Sequence, residues 1–223
     1  MKFLLTSSGI QNDSIQSALV ELLGKPIAEA NALCIPTALH PFPGGPAMVY
    51  RLLSGATANR LVGLGWQSLG VLELTALPSV PTEYWTAAVE TCDAVLVYGG
   101  DVLYLTRWLR ESGLATLLPT LTETVYVGVS AGSIVTAPVF GETYNDPDNP
   151  FVIETGLGLV DFALLLHLNH VDHPESSAVK VAGMAAELPV PTYGIDDATA
   201  LKVVDGAVEV VSEGHWELFQ GQR

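Results

Sequence analysis

The chain has 223 residues, and its nine Lys and Arg residues face 24 Asp and Glu residues, giving a formal net charge of −15 at pH 7. Such a surface repels phosphate backbones and the sequence has no basic cluster, so nucleic acid is excluded as an expected partner. Hydrophobic residues make up 49% of the chain, which suffices for a substantial core and excludes a disordered protein. Length and composition together predict one globular domain spanning residues 1–223.

Neither the cysteines nor the apolar runs indicate secretion or insertion into a membrane. Cys34 and Cys92 lie far apart without metal-binding spacing, so they predict neither a disulfide framework nor a zinc site. The opening apolar run is too short for a signal peptide or a membrane span. Asp161 interrupts the apolar stretch over residues 157–168, which favours a buried strand there. We therefore expect a cytoplasmic protein without a membrane partner.

The first half of the chain alternates short apolar runs with stretches of helical periodicity. Residues 2–6 predict a strand that ends in Ser7-Ser8-Gly9, and residues 12–23 predict the following helix. A proline at the start of residues 46–64 favours a helix over that range. This βαβα rhythm predicts parallel strands with helices on both faces. The other elements predicted before residue 113 are strands over residues 32–36, 69–74 and 94–98 and helices over residues 84–92 and 102–112.

The second half continues this rhythm and then changes character. An apolar strand before Gly128 leads into a small-residue helix, and residues 141–150 predict a polar loop. Residues 162–168 predict a strand, and a helix follows over about 175–188. The fold predicted is α/β, a three-layer sandwich with a mostly parallel central sheet flanked by helices and a short β-hairpin segment near the C-terminus. The tail predicts strands over residues 193–195, 200–204 and 208–211, with an Asp205-Gly206 turn between the last two.

A Gly-x-Ser-x-Gly pattern, Gly128-Val129-Ser130-Ala131-Gly132, lies at the predicted strand-to-helix turn. Such a turn lifts a serine to its apex, and only glycines on either side leave room for it. The pattern also occurs by chance in closely packed turns that do no chemistry. Its strand–turn–helix setting favours Ser130 as a nucleophile. The N–H groups predicted to stabilise an oxyanion there belong to Ala131 and to the Gly99-Gly100 turn.

Four polar or glycine positions follow predicted strands, at the edge where ligands bind in open α/β sheets: Ser7, Gly100, Ser130 and His167. A serine hydroxyl needs a base to accept its proton, and histidine is the usual base at neutral pH. His167 is the best candidate because it ends an apolar strand. A histidine at the end of a strand often serves only as a structural hydrogen-bond partner. Here the four positions converge on one edge of the sheet, which favours a catalytic role.

His167 is followed by His170, Asp172 and His173, a group that also suggests metal ligands. Their spacing matches no helical ligand pair and no cysteine supports them. We expect no metal, and we interpret His170 and His173 as loop residues near the start of the next helix.

The acid that orients the imidazole stays open at this point, because several carboxylates follow Ser130. Asp146 and Asp148 lie in the polar loop and are the first candidates, while Glu142 and Glu154 compete with them. Asp, Asn and Pro are also ordinary turn residues. Because the acid and the histidine follow Ser130 so closely, an ordinary α/β-hydrolase is disfavoured.

Several segments together resemble the peptidase E family of aspartyl dipeptidases, with cyanophycinases as more distant relatives. The resemblance implies a class I glutamine amidotransferase-like fold in which serine replaces the cysteine nucleophile. It spans most of the chain. The segments are Val97-Tyr98-Gly99-Gly100-Asp101, the Ser130 pattern with Ser133, Asn145-Asp146, Gly158-Leu159-Val160-Asp161-Phe162 with His167, and Gly194-Ile195-Asp196-Asp197 with Ala200-Leu201.

Carried over to this chain, the resemblance implies that Ser130 is the nucleophile, His167 its base and Asp146 the acid. It places an oxyanion-binding N–H at Gly100, and it implies a homodimer. Two positions depart from the family pattern. Leu166 stands where the family often has proline, and the region between the histidine and residue 188 offers only a lysine, Lys180, where the family binds a substrate aspartate through arginine.

These observations predict a serine peptidase that hydrolyses dipeptides, or removes the N-terminal residue of short peptides, with broader specificity than Asp-led substrates. A small peptide is the expected partner, and no cofactor is expected. One alternative is a cyanophycinase-like or isoaspartyl peptidase. The other is a catalytically silent binding protein with the same fold.

Overall fold

A seven-stranded sheet forms the centre of the protein in a computed structural model that describes residues 1–57, 60–142 and 151–221. Within these ranges the strands are β1 (Lys2–Thr6), β2 (Asn31–Ile35), β3 (Ser68–Val71), β4 (Ala94–Val97), β5 (Val125–Val129), β6 (Val139–Glu142), β7 (Val152–Thr155), β8 (Ala163–Leu165), β9 (Thr192–Ile195), β10 (Thr199–Val204), β11 (Ala207–Ser212) and β12 (Trp216–Phe219). The α-helices are α1 (Asp13–Leu23), α2 (Gly45–Leu53), α3 (Thr82–Thr91), α4 (Val102–Glu111), α5 (Leu114–Leu117), α6 (Ala131–Ile134) and α7 (Ala178–Glu187).

The central sheet has the strand order β11-β10-β1-β5-β4-β2-β3. The neighbouring strands β1, β5, β4, β2 and β3 pair in parallel in that order, while β10 pairs antiparallel with β1 and with β11. A three-stranded sheet, β12-β9-β8, and a two-stranded sheet, β6-β7, accompany it. The mostly parallel sheet and its C-terminal hairpin confirm the predicted α/β class.

Strand β4 shows why its apolar sequence forms the middle of the sheet. Val95 and Val97 pack into a core cluster that includes α4, while Leu96 packs into a second cluster that includes α1. Successive side chains of a strand point to opposite faces, so helices on both faces bury every residue of β4. This is the reason for a continuous apolar run instead of an alternating one. The helices on both faces confirm the predicted three-layer arrangement.

The helix predicted over residues 46–64 is wrong beyond Leu53, where α2 ends. Gly55 adopts a φ of 72°, a left-handed conformation that glycine accepts without steric cost and that terminates helices. A separate 3-10 turn over Arg60–Gly63 follows. The apolar residues of this second turn, such as Leu61, are buried, which is why the apolar pattern continued past the end of α2.

The strand predicted over residues 162–168 is also shorter, because β8 ends at Leu165. His167 takes a φ of 58°, which turns the chain out of the sheet. The first two residues of the polar loop predicted over residues 141–150 belong instead to β6, which ends at Glu142. Strand β8 therefore ends two residues before His167, and β6 ends at Glu142, one of the candidate acids.

No helix among the described residues is long and apolar enough to cross a bilayer.

Candidate active site

Ser130 lies between the end of β5 and the start of α6, with φ of 50° and ψ of −118°. A residue with a side chain rarely adopts this conformation, which is costly unless its surroundings impose it. The flanking glycines are required by space. A Cβ atom on Gly132 would collide with the carbonyl of Val97, and one on Gly128 would lie 2.7 Å from Ser133 Oγ. The chain therefore makes a sharp, crowded turn with Ser130 at its apex.

Hydrogen bonds to β1 hold this turn in place. Ser133 Oγ donates to the carbonyl of Thr6 at 2.8 Å and accepts from its N–H at 3.0 Å. The N–H of Ser130 donates to the same carbonyl at 3.1 Å. The Thr6 hydroxyl in turn donates to the carbonyl of Gly128 at 2.7 Å. Because the backbone is fixed on both sides, the Ser130 hydroxyl has a defined position on the wall of a cavity.

His167 lies between Ser130 and an aspartate. Its Nε2 atom is 3.4 Å from Ser130 Oγ, and its Nδ1 atom is 2.8 Å from Asp197 Oδ1. The first distance is long for a hydrogen bond, as is common in active sites without substrate. The order serine, imidazole and carboxylate is the one that a triad requires.

Asp197 reaches His167 because their two strands run side by side. Strands β8 and β9 are parallel, so their carboxyl ends meet at the same sheet edge. His167 and Asp197 each lie two positions beyond the end of their strand. Sequence reasoning missed this carboxylate, although a signal was present. An acidic pair directly follows the strand predicted over residues 193–195, and residues that follow parallel strands converge.

Of the four acids considered from the sequence, Glu154 alone has a side chain that the structure describes. Asp146 and Asp148 lie outside the described residues, as does the side chain of Glu142, so the assignment of Asp146 remains a prediction. Glu154 lies on β7. Among the described acids, Asp197 is the one that bonds Nδ1 of His167.

Ser7, at the end of β1, joins the same network. Its hydroxyl donates to Asp197 Oδ1 at 2.5 Å and accepts from the backbone N–H of His167 at 3.0 Å. Its side chain is completely buried. The sequence placed Ser7 at the correct edge but gave no sign of these contacts. One hydroxyl thus fixes both the histidine backbone and the aspartate.

The carboxyl group of Asp197 is held in its ionised form. Burial by itself would raise its pKa, but the hydrogen bonds from His167 and Ser7 and the charge of the imidazole outweigh that effect. The pKa of Asp197 therefore lies well below its usual range. A carboxylate beside Nδ1 favours the tautomer with the proton on Nδ1, which leaves Nε2 free to accept the Ser130 proton.

Gly100 and Ala131, the two residues predicted to bind an oxyanion through their N–H groups, both lie close to Ser130. Gly100 lines the cavity with a φ of 139°, and a Cβ atom there would collide with the carbonyl of Ala38. Ala131 begins α6 directly after Ser130, in the first turn, where helix amides lack an intrahelical acceptor. Neither N–H has a backbone acceptor within the described residues.

Two further histidines surround the pair of His167 and Asp197. The ring of His173 stacks on that of His167 with centroids 4.3 Å apart, and His173 Nδ1 lies 2.9 Å from Glu175. His170 Nε2 lies 3.7 Å from the second oxygen of Asp197. Among the described residues no group of three His, Cys, Asp or Glu has the geometry to hold a metal ion.

The cavity in front of Ser130 has a volume of about 490 Å³. Part of its lining consists of the catalytic candidates and the loops that carry them. Another part is mostly apolar and comes from α2 and the segment before it. The residues used below are Ser7, Gly100, Ser130 and His167 from the first group and Leu39, Phe42, Met48, Arg51 and Leu52 from the second.

A serine at a strained strand-to-helix turn, with a histidine beside it at the carboxyl edge of a parallel sheet, is the arrangement of a serine hydrolase. The order of its residues along the chain differs from that of the α/β-hydrolase fold. The chain belongs to peptidase family S51, a family of serine peptidases, because the model of that family matches residues 3–211.

Two solved structures share the fold. A protein of Listeria monocytogenes EGD-e, provisionally described as a peptidase E protein, matches with a TM-score of 0.68 and 22% identity over 96% of this chain and 98% of its own. A peptidase from an acI-B1 Actinobacterium matches with a TM-score of 0.72 and 20% identity over 99% of this chain and 91% of its own. No curated protein matches at a significant level. At these identities the structures establish the fold, and the family model establishes the class of peptidase.

Proposed function

We propose that the protein is a serine peptidase that cleaves dipeptides, with Ser130 as nucleophile, His167 as base and Asp197 as the orienting acid. The observation that carries the proposal is the line of contacts from Ser130 Oγ to His167 Nε2, and from His167 Nδ1 to Asp197 Oδ1, at 3.4 and 2.8 Å. Membership of family S51 supports it independently.

In the proposed reaction Ser130 Oγ attacks the carbonyl carbon of the scissile bond while His167 Nε2 accepts the hydroxyl proton. The amides of Gly100 and Ala131 stabilise the developing oxyanion. The intermediate collapses when the imidazolium returns its proton to the leaving amine, which leaves an acyl-enzyme. A water molecule, deprotonated by the same imidazole, then releases the acid and regenerates Ser130. Asp197 stabilises the imidazolium at both stages.

The positions of the cations support a first-residue specificity that is broader than aspartate. Lys180 is exposed on α7 and does not line the cavity. Arg107 pairs with Glu111, and Arg110 donates to backbone carbonyls at residues 155 and 156. None of these three supplies a partner for a substrate aspartate, and the arginine that does line the cavity, Arg51, is assigned to a different carboxylate below. A leading aspartate is then left without a cationic partner, and burying an unpaired carboxylate is costly. We therefore expect small or apolar first residues to be accepted at least as well.

Two experiments test this function. A fluorophosphonate probe should label the wild-type protein but not Ser130→Ala, and an unlabelled wild type would indicate a catalytically silent binding protein. A panel of Ala-, Leu-, Met-, Asp- and isoaspartyl-led dipeptides should then be compared by kcat/KM at fixed ionic strength. A clear preference for the Asp-led substrate would refute the broad specificity. Cleavage restricted to isoaspartyl dipeptides would assign the alternative activity instead.

A further inference from the structure

Arg51 is the cation on the wall of the active-site cavity, among the residues that the structure describes. It lies in the last turn of α2. The cavity has no acidic residue in its described lining. Within the described residues the guanidinium also has no carboxylate partner, whereas Lys2, Lys25 and Lys202 each pair with an acid. Arg51 is therefore available to pair with a carboxylate that a ligand brings into the cavity.

The surroundings of Arg51 increase the effect of its charge on a bound ligand. Leu39, Phe42, Met48 and Leu52 line the same cavity, and the last two lie on α2 together with Arg51. A peptide that fills this space excludes water, and a charge pair is stronger where water is excluded. The guanidinium fork matches the two oxygens of a carboxylate. The cavity therefore suits a ligand with an apolar body and a terminal carboxylate.

We propose that Arg51 binds the C-terminal carboxylate of the peptide substrate, so that the enzyme selects dipeptides over longer peptides and over peptides with a blocked carboxyl end. The inference rests on the proposed function in one respect, because it takes the cavity beside Ser130 as the substrate cavity. In a dipeptide the carboxylate lies one residue beyond the scissile bond, a reach of about 3.6 Å. Both groups can therefore occupy one cavity.

The charge of the cavity favours this carboxylate over the side chain of a leading aspartate. The first residue of a peptide carries its α-ammonium group next to its own side chain. An aspartate bound at Arg51 would bring that ammonium close to the guanidinium, and no acid in the described lining offsets the repulsion. The C-terminal residue of a dipeptide carries only the negative charge. Its apolar side chain can pack against Met48 or Phe42.

The test compares Ala-Leu, Asp-Leu, the C-terminal amide of Ala-Leu and the tripeptide Ala-Leu-Ala as substrates of the wild type, Arg51→Met and Arg51→Lys. Loss of a charge-assisted pair predicts a fall of roughly 10- to 100-fold in kcat/KM for Ala-Leu in Arg51→Met. Arg51→Lys should restore part of it, and the amide should be cleaved poorly by the wild type and no worse by Arg51→Met. Arg107→Met is the matched control, because it removes an arginine that is exposed and already paired. Equal cleavage of acid and amide by the wild type would overturn the inference, as would selective loss on Asp-Leu alone.

A binding measurement separates this inference from the peptidase assignment. Calorimetry with Ser130→Ala should show tighter binding of Ala-Leu than of its amide, and the difference should vanish in Ser130→Ala with Arg51→Met. If the wild type cleaves no peptide but this difference is present, the peptidase assignment fails and the carboxylate site stands. If peptides are cleaved in a Ser130-dependent way but the difference is absent, the carboxylate site is refuted and the peptidase assignment stands.

Discussion

The hydroxyl of Ser7 lies 2.5 Å from Asp197 Oδ1, although 190 positions separate the two residues in the chain. The contact forms because β1 pairs antiparallel with β10, so that the end of β1 lies beside the loop that joins β9 to β10. It leaves Asp197 with hydrogen bonds from both an imidazole and a buried hydroxyl. Such a carboxylate has little freedom to rotate, so the imidazole that it binds is held in one orientation.

Removing this hydroxyl should therefore reduce catalysis more than substrate binding. For Ser7→Ala we expect kcat to fall about tenfold or more with little change in KM, because the base is less well oriented for the transition state. Ser112→Ala serves as the control, since it removes another buried hydroxyl outside the site. A variant with wild-type kcat would show that Ser7 has only a structural role.

The identity of the orienting acid is tested by two matched substitutions. Asp197→Asn keeps the shape of the side chain but favours the wrong imidazole tautomer, so kcat should fall about 10³- to 10⁴-fold. Asp146→Asn should change kcat by only a few fold. The opposite result would assign the acid to Asp146, as the family resemblance implies.

The low pKa of Asp197 also predicts how its contribution to stability depends on pH. Its carboxyl is ionised in the folded protein at pH values where the unfolded chain, with an ordinary pKa of about 3.9, begins to bind a proton. A depressed pKa stabilises the fold fully above the unfolded value, and this stabilisation is lost as the pH falls towards the folded value. The difference in Tm between wild type and Asp197→Asn should narrow as the pH falls below about 4. A difference that widens in acid would contradict the assigned cause.

The strained backbone of Ser130 predicts that a glycine at this position abolishes activity but gives a more stable protein than an alanine does. Ser130→Ala and Ser130→Gly should both lose hydrolysis by several orders of magnitude. Only glycine relieves the backbone conformation, whose cost is about 1–3 kcal/mol, against an entropic loss of about 0.4–1 kcal/mol in the unfolded state. Denaturant unfolding should therefore show Ser130→Gly to be the more stable variant by about 1 kcal/mol. Near-wild-type turnover in either variant would disprove the serine mechanism.

Chelation is expected to leave the enzyme active. His173 is stacked on His167 and bonded to Glu175, and His170 faces Asp197, so the described histidines are already engaged with protein partners. Prolonged treatment with EDTA followed by a dipeptide assay checks this expectation. Activity that disappears with EDTA and returns with zinc would require a metal-based mechanism.

The sequence by itself determined the features that depend on neighbouring residues. Gly128 and Gly132 marked a turn that has no room for side chains, and the helix predicted over residues 12–23 agrees with α1, which Asn12 and Gly24 cap. Asp205 and Gly206, both with positive φ, marked the hairpin between β10 and β11. Backbone conformation at these positions follows from local sterics and local hydrogen bonds. A strand-to-helix turn with a serine at its apex could therefore be predicted without the fold.

Tertiary structure alone decided which groups surround that serine. Asp197 reaches His167 because β8 and β9 are parallel neighbours, and Ser7 reaches both because β1 pairs antiparallel with β10, which places Thr6 opposite Ala200. Arg51 lines the cavity because packing places α2 beside the loops that carry Ser7, Gly100 and Ser130. Contacts between residues that are 30 to 190 positions apart depend on strand order and on where each element ends. Packing of the whole chain sets both, and no local pattern encodes them.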